Sequence, residues 1–157
     1  MELSELLTPS RVAIGLHPSS KKRLLEELAA LLLKDSPIMD RDMVFQILTE
    51  RERLGSTGIG EGVALPHGRL HGITAAIGAV AVLGKPLEFD AVDQKPVTLV
   101  FGLLVPADAS EAHLHLLARL ATMLSDASMR TKMLQACDAD ALYRLLVDWH
   151  EESNSTS

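Results

Sequence analysis

Apolar residues change period along this chain, and the changes predict its elements. "RVAIGL" (11–16) is a short β-type run, and "SSKKRLLEELAALLLKD" (19–35) then carries leucines at helical spacing behind a serine N-cap. "DRDMVFQILTERERLG" (40–55) repeats the helical pattern, with Asp40 as cap, Met43, Val44, Ile47 and Leu48 as the apolar stripe, and Gly55 as the stop. The glycine-rich "GSTGIGEG" (55–62) leads into "VALP" and implies a tight backbone path or the close approach of another group.

Two β-like stretches follow, "AAIGAVAVLG" (75–84) and "VTLVFGLLVP" (97–106), with "KPLEFDAVDQKP" between them as a loop. The second is apolar at nearly every position, which suits a central strand covered by helices on both sides. Helical spacing returns in "SEAHLHLLARLATMLSD" (110–126), with Ser110 as the cap, and shorter helices are expected over 127–137 and 138–149. The order predicts an α/β fold with the sheet in the middle, as one domain over residues 1–150. The polar "EESNSTS" (151–157) lacks an apolar stripe and is expected to be a disordered tail.

Composition narrows the function. The chain has 157 residues, 47% of them hydrophobic, enough for a single sizeable core. Its formal charge of −6, the absence of a basic block and the scarcity of aromatic residues argue against nucleic-acid binding. The single Cys137 cannot form an internal disulfide, which suits a reducing compartment. The longest aliphatic runs fall short of the roughly 20 residues that cross a bilayer. The N-terminus lacks the features of a secretory signal, so a cytoplasmic protein without membrane insertion is expected.

The candidate chemistry centres on "EGVALPHGRL" (61–70), where His67 is placed on the turn after a short apolar run. Pro66 and Gly68 would hold the ring out from the sheet, with Gly68 allowing a sharp turn or the approach of another molecule. A neutral imidazole is a nucleophile at physiological pH; a tolerated polar turn residue is the plainer alternative. In "EAHLHLL", His113 falls in the first helical turn, beside unpaired backbone N–H groups that attract phosphate, while His115 must point elsewhere; both also read as solvated helix histidines. Arg51 and Arg53 form either an exposed helix end or the source of one guanidinium fork for an oxyanion. No metal is expected, because "PHGRLHG" is no helix that would align His67 with His71 and neither HExxH nor CxxC occurs. "GSTGIGEG" lacks the lysine ending of a nucleotide-binding P-loop, and no cofactor is expected.

These residues resemble the enzyme IIA proteins of the fructose, mannitol and nitrogen-regulatory class of the phosphoenolpyruvate phosphotransferase system. Glu52, Ile59, Gly60, Val63, Ala64, Leu65, Pro66, His67 and Gly68 fit, without a gap, the family's signature around its phosphorylated histidine. "RERLGSTGIGEGVALPHGRL", "PLEFDAVDQKPVTLVFGLLVPAD" and "HLHLLARLATML" extend the likeness to the nitrogen-regulatory branch over most of residues 1–150.

The resemblance implies a mixed β-sheet flanked by helices on both faces and a phosphoryl group accepted by His67, as a tele-phosphohistidine, from a nitrogen-type histidine phosphocarrier protein of the HPr kind. It implies His113 as an assisting histidine and Arg51 as a phosphate-stabilising residue. Gly60, Gly62 and Gly68 would then keep the surroundings shallow enough for a carrier protein. Two roles follow: a regulator whose phosphorylation state governs partners such as sensor kinases or potassium transport proteins, or a component passing the phosphoryl group to a sugar-specific enzyme IIB. The free-standing chain favours the regulator.

Overall fold

The computed structural model describes residues 2–36, 40–108 and 111–149. The polar tail and the expected cap Ser110 lie outside the described residues. The elements, in order, are α1 (Leu3–Leu6), a 3-10 turn (Pro9–Arg11), β1 (Val12–Leu16), α2 (Lys21–Leu32), α3 (Arg41–Arg53), β2 (Gly58–Gly60), β3 (Val63–Ala64), β4 (His67–Leu70), β5 (Ile77–Leu87), β6 (Val97–Pro106), α4 (Glu111–Ser125), α5 (Ala127–Gln135) and α6 (Ala139–Val147).

The local chemistry of the helix starts follows the sequence. Ser20 caps α2 by accepting from the Arg23 amide, and Asp40, Asp126 and Asp138 cap α3, α5 and α6 in the same manner. On α3 the buried positions are Val44, Leu48 and Glu52, whereas Met43 is half exposed. The expected stripe is therefore corrected: residues four apart stay over the sheet, and Met43 lies off that line.

The strands form one mixed sheet in the order β1-β5-β6-β3-β2. β5 and β6 are antiparallel, and β1 runs parallel to β5. β3 and β4 both run parallel to β6, in one register: Val63 and Ala64 face Leu99 and Val100, and His67 and Gly68 face Leu103 and Leu104. They are one path alongside β6, interrupted at Leu65 and Pro66, where proline has no N–H to give the ladder. β5 continues past the expected end to Leu87, because pairing resumes opposite Val97 after a register shift.

Alternation along β5 divides the core. Ala79, Ala81 and Leu83 face Leu24, Leu28 and Leu32 of α2 and Val44 and Leu48 of α3. Val80 and Val82 face Leu116, Leu120 and Met123 of α4 and Leu142 and Leu146 of α6. The observed architecture is thus an α/β fold with a mixed sheet covered by helices on both faces, and β6 is the buried central strand that its composition indicates.

Candidate functional site

At the C-terminal end of α3, the β4 edge and the start of α4 enclose a cavity of about 620 Å³. His67, His113 and Arg51 all line it. His115 and the exposed Cys137 do not, and Arg53 lines a separate cavity with Lys21, Lys22 and Glu52. The structure thereby separates the two arginines that the sequence left as a pair.

His67 is the first residue of β4 and not part of a turn, which corrects the sequence expectation. The interruption at Pro66 produces its geometry. The Pro66 carbonyl accepts from Leu103 N at 3.0 Å, while the Leu65 carbonyl accepts from His67 Nδ1 at 2.8 Å. A carbonyl oxygen can only accept, so Nδ1 carries the proton and Nε2 keeps the lone pair. Burial lowers the His67 pKa, with a further push from the Arg51 charge; the Leu65 contact and the Glu52 charge oppose it. The ring is therefore neutral at pH 7.

Gly68 lines the cavity but makes no sharp turn, since it lies within β4. Its φ is not in the left-handed region, and the space a side chain would occupy is filled by Ile47 from the same chain. Gly60 and Gly62, by contrast, do not line the cavity. Gly60, Glu61 and Gly62 have φ of 99°, 57° and 80° and form the turn between β2 and β3, a path that glycine follows without steric cost.

Arg51 stands on the last turn of α3 and donates from Nη1 to the Gly55 carbonyl at 2.8 Å, which steadies the guanidinium beside the cavity. His113 is the third residue of α4, and its Nδ1 is buried with no hydrogen-bond partner among the described residues. Arg69, two residues beyond His67 on β4, also lines the cavity and donates to Ala107 O at 3.1 Å. Sequence reasoning missed it, although the period-two geometry of a strand puts residues 67 and 69 on one face. Ile47, Glu50, Leu54, Gly68, Val105, Leu114 and Leu117 complete the walls, with Leu54 at 86% and Leu114 at 58% exposure. An apolar rim around two imidazoles and two guanidinium groups, against the single carboxylate of Glu50, can receive an oxyanion carried on another molecule.

Among the described residues no three His, Cys, Asp or Glu side chains come together in a group able to hold a metal ion. No described helix is long and apolar enough to cross a membrane.

Residues 5–149 match the family described as "Phosphoenolpyruvate-dependent sugar phosphotransferase system, EIIA 2". The chain is 45% identical over 148 residues to a nitrogen regulatory protein of Pseudomonas aeruginosa, covering 94% of this chain and 96% of that one. It is similar to the crystal structure of nitrogen regulatory protein IIA-Ntr from Neisseria meningitidis, with a TM-score of 0.86, 42% identity, and coverage of 92% and 98% of the two chains. IIA mannitol of Escherichia coli shares the fold at 20% identity, with a TM-score of 0.73 over 89% of this chain and 98% of that one. A family match over nearly the whole chain, on a fold that sets His67, His113 and Arg51 around one cavity, shows that this protein belongs to the EIIA 2 family of the phosphoenolpyruvate-dependent phosphotransferase system.

Proposed function

We propose that the protein is a cytoplasmic phosphoryl-accepting regulator, phosphorylated on His67 by a nitrogen-type, HPr-like histidine phosphocarrier. The observation that carries this is the Nδ1 contact to Leu65 O, which leaves Nε2 as the nucleophilic nitrogen of a neutral ring. Family membership and the similarity to nitrogen regulatory proteins support the same reading.

In the transfer, the Nε2 lone pair forms a new P–N bond as the carrier's P–N bond breaks, and the released electron pair stays on the carrier's ring nitrogen. His67 Nδ1 keeps its proton throughout, donating it in a hydrogen bond to Leu65 O. Arg51 and His113 hold the phosphoryl oxygens, so the protein contributes positioning and charge stabilisation. Two imidazoles exchange one group, and the step is close to balanced in energy. The shallow apolar rim, with Leu54 and Leu114 outermost, gives the carrier a surface to lie against.

Phosphorylation adds a charge of about −2 at the cavity and changes which partners can bind there. Sensor kinases and potassium transport proteins are the regulatory targets that fit such a switch. The test is incubation with phosphoenolpyruvate, the general phosphotransferase enzyme and the carrier, read by intact mass. One acid-labile phosphoryl group, absent in a folded His67→Ala variant, is expected; persistent labelling of that variant would sink the assignment.

A further inference from the structure

Behind His67 lies a buried polar cluster with no part in the transfer as described. Glu52, whose side chain is 6% exposed, ends the buried stripe of α3. Its Oε1 accepts from Thr57 Oγ1 at 2.5 Å, and its Oε2 accepts from Thr57 N at 2.9 Å and pairs with Lys21 Nζ at 2.7 Å. Lys21 also donates to Phe89 O at 3.1 Å, as does Ser56 Oγ at 3.0 Å. One carboxylate thus joins the first turn of α2, the last turn of α3 and the segment that enters β2.

The cluster reaches the ring by a continuous series of bonds. Thr57 O accepts from Leu65 N at 2.9 Å, and Leu65 O accepts from His67 Nδ1 at 2.8 Å. Leu65 is therefore held through its amide by the residue that Glu52 clamps, and through its carbonyl it sets the tautomer of His67. We infer that Glu52, fixed by Lys21 and Thr57, is a positioning residue for His67, holding Leu65 so that Nδ1 stays protonated and Nε2 stays nucleophilic.

The inference rests on the phosphoryl-transfer reading for its consequence, but the geometry stands without it. A buried carboxylate is retained only where its lone pairs and charge are satisfied, and here the satisfying groups belong to the segment that orients the ring. Groups that fix the tautomer and orientation of a metal-ligating histidine are worth on the order of tenfold to a hundredfold, and Glu52, acting one step further out through Thr57 and Leu65, is expected at the lower end of that range. Glu52→Gln keeps the shape and removes the charge, placing an NH2 donor against the donors of Thr57 or Lys21.

The experiment uses the full chain with 15N-labelled histidine, with the His67 signals identified by their loss in His67→Gln. The wild type is expected to show a protonated Nδ1 and an unprotonated Nε2. In folded Glu52→Gln the Nε2-protonated tautomer should rise, and initial phosphoryl acceptance should fall, each on the order of tenfold. A purely structural role would lower the melting temperature without moving the tautomer ratio; a wild-type ratio in folded Glu52→Gln overturns the inference. Should that variant not fold, Thr57→Val, which removes only the hydroxyl donor, is read the same way: a shifted ratio supports the role and an unchanged one overturns it. The tautomer is measured with no phosphoryl donor present. A wild-type chain that accepts no phosphoryl group would therefore count against the function and not against the positioning role.

Discussion

Ile47 of α3 fills the space left by the missing side chain of Gly68 on β4, so closely that a Cβ at position 68 would collide with Ile47 Cγ2. The contact sets the distance between the helix that carries Arg51 and the strand that carries His67. Ile47 is β-branched and cannot swing its methyl aside at low cost. Gly68→Ala should destabilise the fold by about 1–3 kcal/mol and slow phosphoryl acceptance by moving α3 from β4. Adding Ile47→Ala should recover part of both losses. A double-mutant cycle by urea denaturation checks the coupling, and strict additivity would refute the contact's role.

The depressed pKa of His67 has a defined consequence for stability. Between the folded-state pKa and the ordinary value of 6.5, the unfolded chain binds the proton and the native ring does not. This contribution is fully present above 6.5 and is lost as pH falls through the folded pKa. His67→Gln should flatten the stability curve in that window. An NMR titration should place the His67 midpoint below 6.5, and Arg51→Ala should raise it by removing the neighbouring positive charge.

Arg51 and Arg53 should separate in kinetics as they do in space. Loss of a preorganised charge on a transferring phosphoryl group costs on the order of a hundredfold, and that is the fall expected for Arg51→Ala. Its stability should change by about 1 kcal/mol, for the bond to Gly55 O. Arg53→Ala should accept the phosphoryl group at nearly the wild-type rate, because Arg53 faces the other cavity. His113→Ala should slow acceptance without abolishing it. Rapid-quench labelling of the three variants checks the order, and a slower Arg53→Ala than Arg51→Ala would reverse the assignment.

Arg11 joins α1 to the sheet. Its guanidinium donates to Gly78 O at 3.0 Å and Leu6 O at 2.9 Å, inside the fold. Arg11→Met leaves both carbonyls without that donor and should cost about 3 kcal/mol, from the usual penalty for unsatisfied buried acceptors. Arg11→Lys should recover only part of it, since an ammonium does not reproduce the fork. The denaturant midpoint measures both, and equal stability of Arg11→Lys and wild type would contradict the geometry.

The sequence by itself determined the long elements and singled out the candidate reacting residue. Leucine spacing in α2, the Asp40 and Ser20 caps, and the continuous apolar run of β6 are local signals, since each depends on neighbours within a turn or a strand. The run from Glu52 to Gly68 carried the resemblance that singles out His67. Strands of two to four residues were not legible, because β2, β3 and β4 are too short for alternation to register and exist by pairing with distant β6 or with one another. The burial of Glu52 was half visible, for residues 44, 48 and 52 recur at four-residue spacing, yet a charged residue on that line gives no hint of Lys21 or Thr57. Only the tertiary structure decided that Arg51 and Arg53 part, that Ile47 occupies the space at Gly68, and that Leu65 O selects the tautomer of His67. Each depends on segments brought together by the sheet, and a one-dimensional pattern does not encode which side chain arrives from across the fold.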